Sequence, residues 1–397
     1  MVGFLRGIVL ERGTIMKWQG AVLKNTSPKS IAKTAVFAFL VAASAGGYAR
    51  AADMPMKAPP PPKPVPFFFV NDTSVSFTWY FNSTDPGVAG SSNSVPGGVA
   101  GQRNTFYRAS GEIDHFDVWE YGTNLIHVEM DQYGPEDPIQ GQPGANGSRE
   151  VFAFSRSTIG WNELTHSKMF SNALVNDIGF EVGGNAGTQN NYLSEETTVG
   201  VFGLNFDLAI PKVLGTMLVG IMADKEFTHN EFDACSAPFG FGVGSGGAVG
   251  ACTPAGASFS GDRQFDWTWR IEAFNSVPLG GILGSWANSA HIINILNVIG
   301  PKGTGISNAN CLAVGCFGPA GAFNNNETKT EVFEDARLSF DTSQLFWGKP
   351  GIWDTYVGYR YWYNKFGTNH NAFLFSGIAP GTSVESTAYV GTTYHFK

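Results

Sequence analysis

Six side chains in this sequence combine ring faces with polar edges. Tyr356, Arg360, Trp362 and Asn364 stand in one stretch, and Arg270 and Arg337 stand elsewhere. In an extended chain successive side chains point to opposite sides, so the four even-numbered residues share a face. Rings stack on the flat face of a solute while guanidinium and amide groups hydrogen-bond its edge. That is binding chemistry, suited to a flat, polar, uncharged solute. The same alternation sorts charges elsewhere. Arg108, Ser110, Glu112 and Asp114 fall on one side of Phe106–Asp114, and His127, Glu129 and Asp131 on one side of Asn124–Asp131. In Glu331–Asp341 the odd set Glu331, Asp335, Arg337, Ser339 and Asp341 falls together, with Glu334 opposite. In Phe265–Ala273 the set Phe265, Trp267, Trp269, Ile271 and Ala273 is the apolar side, and Asp266, Thr268, Arg270 and Glu272 the polar one.

The chemistry of catalysis is not spelled out. There is no G-x-S-x-G elbow, no H-E-x-x-H and no phosphate loop. His166-Ser167 is adjacent but lacks the His-x-Ser-Asn-Gly pattern of outer-membrane phospholipases. His127 and Asp131 share a strand face but would lie roughly 13 Å apart at about 3.3 Å per residue. We therefore expect no enzyme activity, no cofactor and no metal. The four cysteines pair by proximity, Cys235 with Cys252 and Cys311 with Cys316, in Gly-rich stretches without nearby His at ligand spacing. In an oxidising compartment each pair reads as a disulfide closing a local loop. Cross-pairing between the two loops is the alternative, and local closure costs less entropy.

The elements that must hold these faces are strands. Charged residues are 15% of the 397, against about 25% in soluble proteins. Aromatics are 14%, Gly counts 50, and mean hydropathy is only -0.06. Apolar residues are thus spread between polar ones, as in strands with one lipid face and one wet face. No stretch beyond the leader gives about 18 uninterrupted apolar residues; Gly280–Gly300 comes closest and is broken by Ser285, Asn288, Ser289, His291, Asn294 and Asn297.

Twelve segments alternate with period two: Asp72–Asn82, Asn104–Asp114, Trp119–Tyr133, Arg149–Trp161, Ala173–Gly183, Glu195–Ile210, Lys212–Phe227, Arg263–Val277, Ile282–Ile299, Thr328–Phe346, Trp353–Phe366 and Val384–Phe396. The connections alternate short and long. The short ones are His115–Val118, Asn162–Asn172, Pro211, Pro278–Gly281 and Gly348–Ile352. The long ones are Ser83–Arg103, Gly134–Ser148, Gly184–Ser194, Thr228–Asp262, Gly300–Glu327 and Gly367–Ser383. Short periplasmic turns alternating with long outer loops mark an outer-membrane barrel. The fold expected is all-β: a closed antiparallel transmembrane barrel of about 12 strands over residues 72–397.

Before the barrel, Lys24, Lys29 and Lys33, the apolar Ala35–Ala45 and the small-x-small Ala49-Arg50-Ala51 read as a signal peptide over residues 1–51, with Met16 a second possible start. A Pro-rich periplasmic leader, residues 52–71, includes Pro59–Pro62. Residues 1–51 hold seven of the 25 Lys/Arg and one of the 33 Asp/Glu, so the remainder is acidic and unsuited to nucleic acid. The location expected is the outer membrane of a Gram-negative cell. The partners expected are lipid and lipopolysaccharide, a small polar solute, and barrel-assembly machinery reading the C-terminal strand with Tyr394 and Phe396.

The stretch Glu331–Gly367, with Phe346-Trp347, Trp353, Tyr356, Gly358-Tyr359-Arg360-Tyr361-Trp362 and Asn364-Lys365-Phe366, resembles the nucleoside-specific outer-membrane channel family Tsx. Asn104–Tyr133, with a turn at Phe116-Asp117, is similar too, and Ala51–Pro64 resembles the mature N-termini of alphaproteobacterial porin-like proteins. The resemblance implies a narrow, twelve-stranded monomeric barrel that passes nucleosides, with pore-wall residues among Tyr356, Arg360, Trp362, Asn364, Arg270 and Arg337. The long Cys-bearing loops depart from that family. Two other classes stay open: a general porin or structural barrel without selectivity, and an adhesin or receptor working through its surface loops.

Overall fold

The computed structural model describes residues 67–85, 105–137, 139, 147–191, 195–234, 260–303, 328–367 and 383–396. The signal peptide, most of the proline leader and all four cysteines lie outside the described residues. Thirteen strands make one antiparallel sheet: β1 Phe68–Ser83, β2 Phe106–Trp119, β3 Gly122–Tyr133, β4 Arg149–Gly160, β5 Val175–Gln189, β6 Glu196–Leu208, β7 Thr216–Ala234, β8 Ser260–Gln264, β9 Thr268–Pro278, β10 Ala290–Ile299, β11 Glu331–Asp341, β12 Trp353–Tyr363 and β13 Val384–Phe396. Each strand pairs with the next in sequence, except that β8 does not pair with β9. The ring closes because β1 pairs with β13, from Thr73↔Phe396 to Tyr80↔Tyr389. β8 and β9 both pair with β7, above and below one break, and so form a single interrupted wall strand. The barrel therefore has twelve wall positions. Closure leaves no free edge, which is what a lipid environment demands of a sheet.

Alternation decides which way each face points. On β2, Arg108, Ser110, Glu112 and Asp114 are buried, while Tyr107 and Ile113 are exposed. The outer surface carries Phe77, Ile126, Met130, Val151, Phe180, Phe202, Leu204, Ile221 and Val357, all exposed, and the buried set is mostly polar and charged. This inversion is stable only where the outside is hydrocarbon. Exposed aromatics gather at both ends. Trp161, Trp286, Phe346, Trp347, Tyr394 and Phe396 belong to the short-connection end; Phe81, Tyr107, Phe227, Trp267 and Trp269 belong to the other. Such girdles sit at the two membrane interfaces. The protein is an outer-membrane β-barrel, with the short-connection end periplasmic.

Several boundaries differ from the sequence expectation. β1 begins at Phe68, four residues before Asp72. β2 runs through His115–Val118, and the chain reverses at Glu120-Tyr121, so Phe116-Asp117 is strand and not turn. β5 runs to Gln189, which shortens the expected long loop at Gly184–Ser194. The segment from Ile282 enters the wall only at Ala290; Gly280–Leu283 and Ser285–Ala287 are helical turns joined at Gly284, whose φ of 95° suits glycine. Its alternation is poor because both faces are apolar: Ile292 points outward and Ile293 is buried inside. The expected strand Thr328–Phe346 ends at Asp341, whose side chain accepts from the Gln344 amide at 2.8 Å and caps the helix Thr342–Trp347, which stops at left-handed Gly348.

Candidate functional site

The inward faces enclose a lumen that is not uniform. Its wall from β11 through β13 and β1 to β2 is packed with rings and guanidinium groups. Tyr80, Tyr356 and Tyr389 form one buried cluster, with Tyr80 and Tyr389 centroids 5.0 Å apart. Two glycines make this possible. A Cβ at Gly391 would lie 2.3 Å from the Tyr356 ring, and one at Gly358 would lie 2.2 Å from that of Tyr389. Each tyrosine therefore lies flat against the wall over the glycine opposite. Arg108 and Arg360 stack on Tyr80, with Cζ 3.9 and 4.6 Å from its centroid, and Arg337 stacks on Tyr356 at 4.9 Å. Asp335 accepts from Arg360 at 2.9 Å and from the Tyr389 hydroxyl, and lies 3.9 Å from Arg337. Arg108 faces Asp131 at 3.3 Å and Glu129 at 3.6 Å. Every charge here has a partner of opposite sign, as burial in a confined lumen requires.

On the other side the lumen is crossed. Arg156 of β4 meets Glu272 of β9 through a two-pronged pair, Nε to Oε2 at 3.0 Å and Nη2 to Oε1 at 2.7 Å. In the ring these strands are separated by β5, β6 and β7, so the pair spans the interior and does not run along the wall. The remaining Arg156 nitrogen donates to Ser155 O at 2.7 Å, Gly184 O at 3.2 Å and Asn185 Oδ1 at 2.9 Å. Glu272 also accepts from Arg270 at 3.2 Å, and Arg270 donates to Asp224 at 2.7 Å. On β6 and β7, beside this bridge, Val199, Val201 and Met222 form a buried apolar cluster, and Asn205 donates to Glu181 at 2.5 Å.

A cavity of about 330 Å³ remains. Its apolar lining includes Phe116, Leu125, Phe152, Phe154, Phe333 and Trp362. Its charged lining numbers ten carboxylates and six Lys/Arg, so both signs are present as expected, with acids in excess. Trp362 donates from its indole to Glu331 at 2.6 Å. Near the outer end Lys365 pairs with Glu385 at 2.8 Å and with Asp85, and Asp85 accepts from Gln189 at 2.7 Å. Burial alone would depress the Lys365 ammonium; Asp85 and Glu385 outweigh it and hold its pKa above the ordinary lysine value.

Of the six expected wall residues, Arg270, Arg337, Arg360 and Trp362 line the cavity. Tyr356 is inward but sits within the ring cluster, outside the lining. Asn364 lies one residue past β12 with φ 50°, donating to Thr330 O at 2.8 Å, and so shapes the end of the strand. The odd set of β11 is buried and Glu334 points outward, as expected. Phe265 and Asp266 are reversed: Phe265 is buried beside Lys302 and Asp266 is exposed. They lie in the break between β8 and β9, where alternation is lost. Sequence reasoning also missed Arg156, Glu181, Phe152 and Phe154. It sought a partner for His127 along its own strand, whereas Asp114 lies directly across on β2 at 2.7 Å. Glu112, Asp114 and His127 bring ligand-type atoms within 4.8 Å of one another, but His127 already engages Asp114 and, at 3.5 Å, Glu129.

No family model matches the chain, and no curated protein matches it. Among solved structures it is similar to the NanC porin at 7% identity, over 81% of this chain and 98% of that one, with a TM-score of 0.37. It is also similar to the translocator domain of the autotransporter NalP from Neisseria meningitidis, at 10% identity, over 82% and 89%, with a TM-score of 0.35. For the KdgM porin the values are 9%, 82% and 99%, with a TM-score of 0.31.

Proposed function

We propose that this barrel is a passive channel for small, flat, polar solutes, with nucleosides the leading class. The observation that carries the reading is the lining of the remaining cavity. Rings of Phe152, Phe154, Phe333 and Trp362 face it together with guanidinium and carboxylate groups. A base can stack on such rings while its edge and the sugar hydroxyls hydrogen-bond to the charged groups. Conduction needs binding weak enough to release, so affinity for the solute is modest. No nucleoside-channel family model supports the choice of solute; it rests on this chemistry and on the resemblance of Glu331–Gly367. The test is swelling of liposomes holding the purified full-length protein. Faster swelling in nucleosides than in sugars of equal size supports selective diffusion. Equal rates make it a general porin, and no swelling removes the channel reading.

A further inference from the structure

We infer that the Arg156–Glu272 bridge is a partition that sets the size limit of the lumen. The inference rests on the channel reading above and names the residues that fix its bore. Twelve strands enclose more cross-section than one small solute needs. Here that section is divided. The bridge joins β4 to β9 across the interior, and the cavity lining continues beyond it on β5 and β6 through Glu181, Asn185, Val199 and Asn205. The bridge thereby splits the cavity's section, with β5–β7 on one side and β10–β3 on the other.

Four features argue that the bridge is built rather than incidental. The fork is bidentate, which fixes direction as well as distance. The third Arg156 nitrogen is tied to β5 by Gly184 O and Asn185, so the guanidinium is held from behind. The crossing route is cleared by Gly183: a Cβ there would lie 2.8 Å from Arg156 Cδ and 2.1 Å from Ser155 O. On the far side Glu272 is held by Arg270, itself anchored on Asp224. The chain Asp224–Arg270–Glu272–Arg156 thus runs from β7 to β4 with alternating sign. Glu181 of β5 lies 3.9 Å from Arg156 Nε, a longer contact than either prong of the Glu272 fork, so the fork sets the direction of the guanidinium.

The test is single-channel conductance of the full-length protein in planar bilayers. The variants are Arg156→Ala/Glu272→Ala, Glu272→Gln and Arg156→Lys. Removing both partners leaves neither charge of the bridge stranded and merges the two sides of the cavity. We expect conductance to rise roughly 1.5- to 2-fold, as lumen width governs passage, and larger sugars to enter in liposome swelling. Glu272→Gln, which keeps a hydrogen-bonding end on the bridge but loses its charge, should give both readouts between those of wild type and the double alanine variant. Arg156→Lys, which keeps the charge but loses the fork, should show a noisier open level even if the double alanine variant does not fold. A conducting wild type whose folded variants keep its conductance, noise and size limit overturns the partition and leaves the channel reading intact. If wild type and variants are all silent, both fall together. A silent wild type beside a conducting double variant supports a partition that closes the bore entirely.

Discussion

The two sides of this lumen use arginine in opposite ways. On the wall from β11 to β2, Arg108, Arg337 and Arg360 lie flat on tyrosine rings and pair with acids on their own or a neighbouring strand. On the side of β4 and β9, Arg156 reaches over a glycine and across the interior to a non-neighbouring strand. The first arrangement thickens the wall; the second divides the space. The difference teaches that an inward charge does not by itself mark a solute-binding group. What matters is whether its partner lies beside it or across from it.

The sharpest way to break the thick wall is Asp335→Ala. Arg360, Arg337 and the Tyr389 hydroxyl share that carboxylate. Leaving a buried charge unpaired costs about 3–5 kcal/mol, so unfolding by urea in lipid vesicles should shift to much lower denaturant. A midpoint unchanged from wild type would mean these arginines are solvated by lumen water. Next in size is Gly391→Ala, which drives a methyl group into the Tyr356 ring. Overpacking of this kind costs about 1–3 kcal/mol. Gly200→Ala, with nothing within 4 Å of the new methyl, should be near neutral in the same assay.

Much of this was legible from alternation. The closed twelve-position barrel, the inward sets of β2, β3 and β11, and the outward Trp267 and Trp269 all follow from period two. Legibility failed where that period stops carrying information. The Gly-rich run from Gly183 to Gly187 resembles a loop, yet it is strand because side chains of β4 lie over it: Arg156 over Gly183, and Phe152 at 3.2 Å from a Cβ at Gly187. The segment Ile282–Ala287 is apolar on every face, so nothing in its pattern separates helix from strand. The cap at Asp341 was readable, since Asp followed by Thr-Ser and then Gly348 is a helix start and stop. Cross-lumen pairs are beyond any local pattern. The spacing of 116 residues between Arg156 and Glu272 acquires meaning only when the ring is closed.

A smaller effect separates filler from contact on the same strand. Trp362→Ala should lower nucleoside flux about 2- to 12-fold, the worth of one stacking contact of about 0.5–1.5 kcal/mol. Tyr356→Ala should leave the flux ratio of nucleoside to sugar unchanged while lowering stability, because its ring sits outside the cavity lining. Liposome swelling with both solutes measures each. Equal selectivity losses would place Tyr356 in the path and erase the distinction between wall and passage. Smallest of all is ion preference. With carboxylates in excess around the cavity, reversal potentials under a salt gradient should show weak preference for cations, fading as salt rises. Preference for anions would mean the Arg108–Arg337–Arg360 wall dominates the field.

The central claim is that a small flat solute passes through the ring-lined cavity beside Trp362. Current through a single wild-type channel, recorded while nucleoside is added to one side, tests it most directly. The account expects brief, concentration-dependent interruptions of the open level that shorten in Trp362→Ala and persist in Tyr356→Ala. An open level untouched by nucleoside at millimolar concentration, or interruptions of equal length in both variants, would contradict it.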